Sequence, residues 1–132
     1  MDDELVRRIG DEAFVSLTTF KKDGSAVSSP MWIARDDQLL AAWTPAQAWK
    51  VRRIRRDPRV ELTPCNRSGG VPAGAPVLRA RADVIADPSY VSQVEAAIKD
   101  KYGLMFRLVT LVETVRSRGR KSRVALRITP GA

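Results

Sequence analysis

The sequence predicts a mainly β fold of the α+β class, a small antiparallel barrel of six strands with three or four helices. Six short segments alternate apolar and polar residues with period two, the pattern of half-buried strands. After a short N-terminal helix, one helical segment follows the third strand and two follow the fifth. Since strands and helices do not alternate regularly, an antiparallel barrel is favoured over a parallel βαβ sheet.

The six predicted strands share this alternation and cover residues 14–20, 26–34, 39–43, 59–65, 77–85 and 123–129. Asp23 and Gly24 separate the first two, which predicts a tight hairpin turn with a positive φ at both residues. Pro30 lies in the second strand and has no N–H for the ladder. That strand is therefore expected at a sheet edge, at a bulge, or facing something other than a strand.

The helical segments share an apolar period near 3.6 residues and cover residues 2–9, 45–56, 88–102 and 104–116. Thr44 and Gln47 have the spacing of a capping box, and Pro45 would occupy the first helical position. The second helix is therefore expected to begin at Thr44 and to end near Arg56, before Pro58. A loop rich in Gly, Pro and Ser is expected at 66–76.

The composition bounds the classes of function. The 132 residues suffice for one domain, 1–132, with a core of its own. Lys and Arg outnumber Asp and Glu by 23 to 15, and the net charge of +8 predicts an acidic partner such as nucleic acid, phosphate or a polycarboxylate. One cysteine and no histidine exclude an internal disulfide, a multi-cysteine or histidine metal site and histidine-based catalysis, so no metal ligand is assigned.

The N-terminal sequence is acidic and has no apolar core, so no secretory signal is predicted. The most apolar stretch, 104–115, contains Arg107 and Glu113 and is too short to span a bilayer. A cytoplasmic protein without a membrane partner is expected.

The segment that follows the third strand is the most informative part of the chain. Lys50 and Arg53 lie one turn apart near the start of the predicted helix, where free backbone amides already favour an anion. This indicates a phosphate seat; the alternative is a solvated basic helix whose arginine stems cover a core edge. Trp49 points away from the apolar stripe, which favours contact with a partner subunit or a cofactor. Trp32 and Trp43 fit a core or interface role as well as ring stacking.

Three stretches resemble a known superfamily: TTFKKDGSAVSSPMW (18–32), LLAAWTPAQAWKVRRIRRDPRVEL (39–62), and KYGLMFRLVTLVE (101–113) leading to VALRITP (124–130). Their order and spacing are similar to those of the pyridoxamine 5'-phosphate oxidase-like split-barrel proteins. They are most similar to the actinobacterial B class of oxidoreductases that use the deazaflavin coenzyme F420. The resemblance covers nearly the whole chain and implies an FMN-binding type of split barrel, a homodimer, and a flavin or deazaflavin in a groove between the protomers.

The resemblance also implies the residues that bind the cofactor. Lys50 would hold its phosphate, Trp49 would lie beside Lys50, and the second strand would offer its backbone to the ring. The implied cofactor-binding residues are Ser28, Ser29, Pro30, Met31, Trp32, Trp43, Thr44, Trp49, Lys50, Arg53 and Arg79. The deazaflavin carries a phosphodiester and an oligoglutamate tail, so its binding site needs cations spread along the length of the ligand. Arg56, Arg81 and the turn 118–123 would add to the cations named above. The alternative is that these residues form a generally basic surface.

The chain departs from the oxidase itself in two places. Ser29 stands where the oxidase has an arginine, and the C-terminal Arg and His that grip pyridoxal phosphate have no counterpart here. Oxidation of pyridoxamine phosphate is therefore disfavoured. A haem-binding offshoot of the fold is disfavoured as well, because its usual axial histidine is missing.

The resulting hypothesis is an F420-dependent oxidoreductase that transfers hydride to a small organic substrate. No side chain is assigned as a catalytic acid or base, because the cofactor carries the chemistry. The alternatives are an FMN-dependent reductase or oxidase on the same fold, a carrier that binds the cofactor without turnover, and a basic module that binds nucleic acid. Nucleic acid is the weakest of these, since neither an aromatic-basic strand motif nor a recognition helix is present.

Overall fold

The computed structural model describes residues 3–108, 111 and 122–131 of the chain. The helices are α1 (Asp3–Asp11), α2 (Trp49–Arg56), α3 (Pro88–Tyr102) and α4, described for residues 104–108 and 111. The strands are β1 (Val15–Phe20), β2 (Ala26–Met31), β3 (Ala34–Asp36), β4 (Leu39–Pro45), β5 (Arg59–Pro64), β6 (Leu78–Ile85) and β7 (Arg123–Pro130). Most of the predicted helix 104–116 beyond residue 108 and the turn 118–121 lie outside the described residues.

The strands form one antiparallel sheet in the order β2-β1-β5-β6-β7-β4-β3. The two terminal strands of this order, β2 and β3, are joined by only two residues, Trp32 and Ile33. Since two residues span at most about 10 Å between their neighbours, the sheet must curl until its ends lie close together. The predicted mainly β antiparallel barrel is confirmed, with its seam between β2 and β3.

The sheet has seven strands, so the predicted count of six is wrong. The single strand predicted over 26–34 breaks after Met31, because Ile33 bonds to the end of α3. The Ile33 N–H donates to the Tyr102 hydroxyl at 3.0 Å, and its carbonyl accepts from Lys101 Nζ at 2.6 Å. Contacts with residues nearly 70 positions away thus replace a strand partner at this point.

The edge position predicted for the second strand is confirmed. In the described part of the sheet β2 pairs only with β1, where Pro30 lies opposite Ser16. The missing N–H of Pro30 therefore costs no ladder bond on the open side.

The hairpin between β1 and β2 forms, but not with the predicted geometry. Only Gly24 has a positive φ, of 87°, whereas Asp23 has none. Gly24 N–H donates to the carbonyl of Lys21, and Lys21 N–H donates to that of Ser25, each at 2.9 Å. These bonds close a three-residue loop with one left-handed glycine, which needs a positive φ at one residue instead of two.

Helix α2 begins at Trp49, so the predicted start at Thr44 and Pro45 is wrong. Both residues continue β4 and pair with Val124 and Arg123 of β7. Ladder bonds to β7 and the burial of Thr44 outweigh the capping signal, and Ala48 becomes the N-cap without a side-chain bond. The predicted end at Arg56 is confirmed.

Two apolar clusters lie on opposite faces of the sheet. The barrel interior collects alternate residues of the strands together with side chains from α1 and α2, among them Ile9, Leu17, Leu40, Ile54, Leu62, Leu126 and Ile128. Each such fully buried aliphatic side chain contributes about 1.5–3 kcal/mol. The outer cluster packs α3 and α4 on β3, β4 and β7 through Ala41, Trp43, Val94, Ile98, Phe106 and Ala125. Strand β4 therefore buries both faces, as its unbroken apolar run predicts.

No helix among the described residues is both long and apolar enough to cross a membrane.

Candidate cofactor site

A cavity of about 500 Å³ opens beside the seam of the barrel. It receives residues from the ends of β2 and β4, the first turn of α2, helix α4, the start of β7 and the loop after β5. Its lining consists of Phe14, Pro30, Met31, Trp32, Trp43, Thr44, Pro45, Lys50, Arg67, Met105 and Arg123. A volume of this size is typical of a pocket for a cofactor or another small organic molecule.

Among the residues that the structure describes, three cations line the cavity and no acidic residue does. They are Lys50 from α2, Arg67 from the loop after β5, and Arg123 from the start of β7. The pKa of Lys50 is lowered, first by burial and then by the positive charge of Arg53. An anion in the cavity would relieve both effects, so the electrostatics of the site favour a negatively charged ligand.

The position of α2 depends on Arg53, which does not line the cavity. Its Nε donates to the hydroxyl of Thr19 at 2.6 Å, and Thr19 is buried in β1. Arg53 therefore anchors the helix that carries Lys50 to the barrel and adds positive charge behind the ammonium group.

The rings of Trp32 and Trp43 line one wall of the cavity. The buried Phe106 supports both, with its ring centroid 5.4 Å from that of Trp43 and 6.5 Å from that of Trp32. The Arg123 guanidinium carbon lies 3.9 Å from the centroid of Trp43, a cation–π contact at the polar end of the wall. The arrangement places apolar ring surface next to positive charge.

The end of α3 holds this wall in place. Tyr102 stacks on Trp32 with 4.4 Å between ring centroids and 12° between the planes. Its hydroxyl bonds to the N–H of Ile33 at 3.0 Å and to the carbonyl of Ala13 at 2.9 Å. The neighbouring Lys101 donates to the carbonyls of Gly10, Glu12 and Ile33. One helix end thus fixes both the backbone and the ring of the segment that closes the seam.

The sequence profile of pyridoxamine 5'-phosphate oxidase matches residues 1–132, that is, the whole chain. The chain belongs to the pyridoxamine 5'-phosphate oxidase family. No curated protein sequence matches it.

Several solved structures share the fold of this chain, although their sequences are only distantly similar to it. The conserved hypothetical protein Rv2991 from Mycobacterium tuberculosis has 20% identity and a TM-score of 0.71, covering 100% of this chain and 81% of that one. A protein named F420 reductase has 19% identity and a TM-score of 0.60, covering 96% and 93%. The haem storage protein HutZ from Vibrio cholerae has 14% identity and a TM-score of 0.68, covering 99% and 90%.

The family fold brings six of the eleven predicted site residues to the cavity: Pro30, Met31, Trp32, Trp43, Thr44 and Lys50. Four others lie outside its lining. Ser28 is exposed and shares a hydrogen bond of 2.6 Å with Thr18, and Ser29 is half-buried on the neighbouring position of β2. Trp49 is 68% exposed, with the Arg52 guanidinium carbon 4.8 Å from its ring centroid, and Arg53 stands behind Lys50.

The eleventh residue, Arg79, lies elsewhere in this oxidase-family chain. It projects from β6 into a different groove, and its Nε lies 3.8 Å from a carboxylate oxygen of Glu61. Arg81 lines that groove as well, while Arg56 donates to the carbonyl of Phe20. The predicted spread of cations is thus divided between two places on the molecule.

Of the five remaining lining residues, Arg123 belongs to the predicted basic turn 118–123, and four were not predicted: Phe14, Pro45, Arg67 and Met105. Arg67 belongs to the loop after β5, whose shape depends on Asn66. The Asn66 side-chain oxygen accepts from the N–H groups of Ser68 and Gly70 at 2.9 and 2.8 Å. A pattern of Asn followed by Gly-Gly signals such a turn, but nothing local indicates that it faces the cavity.

Proposed function

We propose that the protein is a cytoplasmic F420-dependent oxidoreductase of the actinobacterial class, active as a homodimer, which holds the deazaflavin in the 500 Å³ cavity and reduces a small organic substrate. The observation that carries the proposal is the cavity's composition. One wall is aromatic and apolar, three cations line the remainder, and no carboxylate is present among the lining residues. A planar conjugated ring with an anionic tail matches both parts.

The number of cations favours a deazaflavin over FMN. FMN needs one compact phosphate seat, whereas a phosphodiester followed by an oligoglutamate tail carries charge along its length. Lys50, Arg67 and Arg123 reach the cavity from three separate parts of the chain, so the cavity offers more cations than a single phosphate seat requires. The similarity of fold to a protein named F420 reductase supports the same choice.

The segment Pro30–Trp32 is the proposed seat of the ring. It ends an edge strand, so part of its backbone polar groups face away from β1 and can bond to a heterocycle. Tyr102 stacks on Trp32 and fixes its position, so Trp32 presents a fixed surface to the cofactor ring.

The bound cofactor supplies hydride transfer, and the protein supplies binding, orientation and exclusion of water. Lys50 holds the phosphate group, the rings of Trp32 and Trp43 exclude solvent, and the buried hydroxyl of Thr44 is a hydrogen-bonding group at the cavity wall. No side chain is assigned as a proton donor.

A second copy of the chain is proposed to cover the open side of the cavity. Leu104, Leu108 and Leu111 form one stripe of α4 and are 70%, 51% and 61% exposed. Met105 on the same helix lines the cavity, so a protomer packed on this stripe would lie at the site. Exposed apolar stripes of this kind are typical of interfaces.

A fluorescence titration of the purified protein with F420 and, separately, with FMN tests the proposal. Both the affinity and the preference are informative: we expect F420 to bind with a Kd of about 1 μM or lower and FMN more weakly. Binding of neither would overturn the cofactor site. Tighter binding of FMN, or a yellow protein as purified, would establish the FMN-dependent alternative in its place.

Turnover separates an enzyme from a cofactor carrier. The reduced deazaflavin is mixed with the protein and candidate enones or quinones, and reoxidation is followed by absorbance. Reoxidation that depends on both protein and acceptor supports the oxidoreductase, and tight binding without reoxidation for any acceptor supports a carrier.

A further inference from the structure

A second groove, of about 300 Å³, lies on the outer face of β5 and β6. Its lining residues are Phe20, Arg59, Val60, Glu61, Arg79, Ala80 and Arg81. Phe14, at the start of β1, lines the cofactor cavity, whereas Phe20 at its end lines this groove. Six residues of extended chain span about 20 Å, so the two sites lie at opposite ends of β1.

The register of β5 and β6 places like charges together in this groove. Arg59 lies directly opposite Arg81, and Glu61 lies opposite Arg79. Like charges in such a cross-strand pair destabilise a sheet, whereas opposite charges stabilise it. Three arginines and one glutamate thus line the groove, which stays positive even though Arg59 is paired with Asp57.

The three arginines of the groove differ in how far a carboxylate neutralises them: Arg59 is paired with Asp57, whereas Arg79 has only a long contact with Glu61. Arg59 donates to the carboxylate of Asp57, with Nη2 2.8 Å from Oδ2, and its guanidinium carbon lies 4.8 Å from the Phe20 ring centroid. These contacts fix the position of that guanidinium. The Arg79 side chain is 77% exposed, and its ion pair with Glu61 spans 3.8 Å.

We propose that this groove is a second anion site, separate from the cofactor cavity, for a ligand carrying two or more phosphate or carboxylate groups. Neighbouring strands lie about 4.8 Å apart and residues on one face of a strand about 6.8 Å apart, so the ligand's anionic groups lie at comparable spacings. The exposed guanidinium groups of Arg79 and Arg81 each offer a planar fork that binds such groups in pairs of hydrogen bonds, whereas the fork of Arg59 is already engaged by Asp57. A linear polyphosphate and an oligocarboxylate chain both meet this description.

Calorimetric titration of the full chain with inorganic tripolyphosphate, and in parallel with hexaglutamate, tests the site and identifies the preferred chemistry. We expect saturable binding of at least one probe, weakened about tenfold by Arg81→Gln, the loss of one charged hydrogen-bonding group. Arg8→Gln removes an equally exposed arginine from α1 and is expected to change the Kd less than about twofold. Because Arg81 is exposed, Arg81→Gln is expected to leave Tm unchanged, which separates lost binding from lost folding.

Lys50→Met distinguishes this site from the cofactor cavity. Since the cofactor cavity can also attract these polyanions, the comparison concerns the part of the binding that depends on Arg81. In Lys50→Met this Arg81-dependent binding is expected to remain, whatever the outcome of the F420 titration. Loss of the Arg81-dependent binding in Lys50→Met, equal weakening by Arg8→Gln and Arg81→Gln, or no binding of either probe would overturn the proposal. A short single-stranded DNA that binds more tightly than both probes and depends on Arg81 would replace it with a nucleic-acid surface.

Discussion

The charged Lys50 side chain is expected to strengthen ligand binding and to lower the stability of the folded protein. Its pKa in the folded protein is lowered from 10.5, so the protonated side chain is less favourable there than in the unfolded chain. Between the lowered pKa and 10.5 the unfolded chain binds more protons, and the stability contributed by this group therefore rises with pH over that interval. At neutral pH the charged group costs stability.

Replacing Lys50 by Met is therefore expected to raise Tm by about 1–3 °C and to weaken F420 binding by about tenfold or more. Differential scanning calorimetry and the fluorescence titration measure the two effects. Arg55→Met, which removes an exposed cation from the same helix, is the control and is expected to change neither quantity. A lower Tm together with unchanged affinity would contradict the assigned role of Lys50.

The pH dependence of binding follows from the same group. A bound phosphate raises the lowered pKa of Lys50, so binding takes up a proton in the interval between the ligand-free and ligand-bound values. Affinity is expected to be level below that interval and to fall as pH rises through it. Titrations from pH 7 to about 10 should show this loss in the wild type. In Lys50→Arg, which does not titrate in this range, only the ligand's own pH dependence should remain.

The ammonium group of Lys101 connects the end of α3 to two other parts of the backbone, residues 10–12 and Ile33. It donates to the carbonyls of Gly10, Glu12 and Ile33 at 2.6–2.8 Å. Lys101→Met keeps the stem and removes all three bonds, and we expect the free energy of unfolding to fall by about 1–2 kcal/mol, because solvent can reach part of the site. Urea denaturation measures the change. Lys99→Met, at an exposed position of the same helix, is expected to be neutral, and equal losses in both variants would contradict a specific role for Lys101.

At the scale of elements, alternation and turn chemistry predict most of the fold. Strand β6 buries Leu78, Ala80 and Ala82 and exposes Arg79 and Arg81, as its period of two requires. The break between β2 and β3 could not be predicted, because it depends on bonds between Ile33 and the distant end of α3. The start of α2 was mispredicted for a related reason, since strand pairing outweighed a correct local signal.

The same contrast applies to the candidate site. Met31, Trp32 and Lys50 belong to short motifs with recognisable spacing, and their place at the cavity follows from that resemblance. Arg67 reaches it from a loop outside the resembling stretches, and Met105 reaches it from 101–113, a stretch for which the resemblance implies no cofactor-binding residue. Their contribution depends on the curl of the sheet, which a linear pattern does not contain.

Helix α2 has no side-chain cap at its N-terminus, so a capping side chain at the N-cap position is expected to stabilise it. Ala48 has an extended backbone, with φ −63° and ψ 145°, and makes no capping bond. Ala48→Ser supplies a hydroxyl for a free N–H of the first turn and is expected to stabilise the protein by about 0.5–1 kcal/mol. Thermal denaturation measures the gain. Gln47→Ser, one residue outside the cap, serves as the control, and a gain there equal to that of Ala48→Ser would contradict capping as the cause.

At the scale of the whole molecule, the proposed homodimer couples assembly to the cofactor site, because the exposed leucines of α4 lie on the helix that brings Met105 to the cavity. We expect sedimentation analysis to show two chains per particle. Leu104→Glu with Leu108→Glu places two charges on this stripe and should produce monomers that bind F420 at least about tenfold more weakly, since burying an unpaired charge is costly. Val77→Glu, at another exposed apolar position, should leave both assembly and affinity unchanged. A monomeric wild type, or a monomeric double variant with full affinity, would show that one chain forms the complete site.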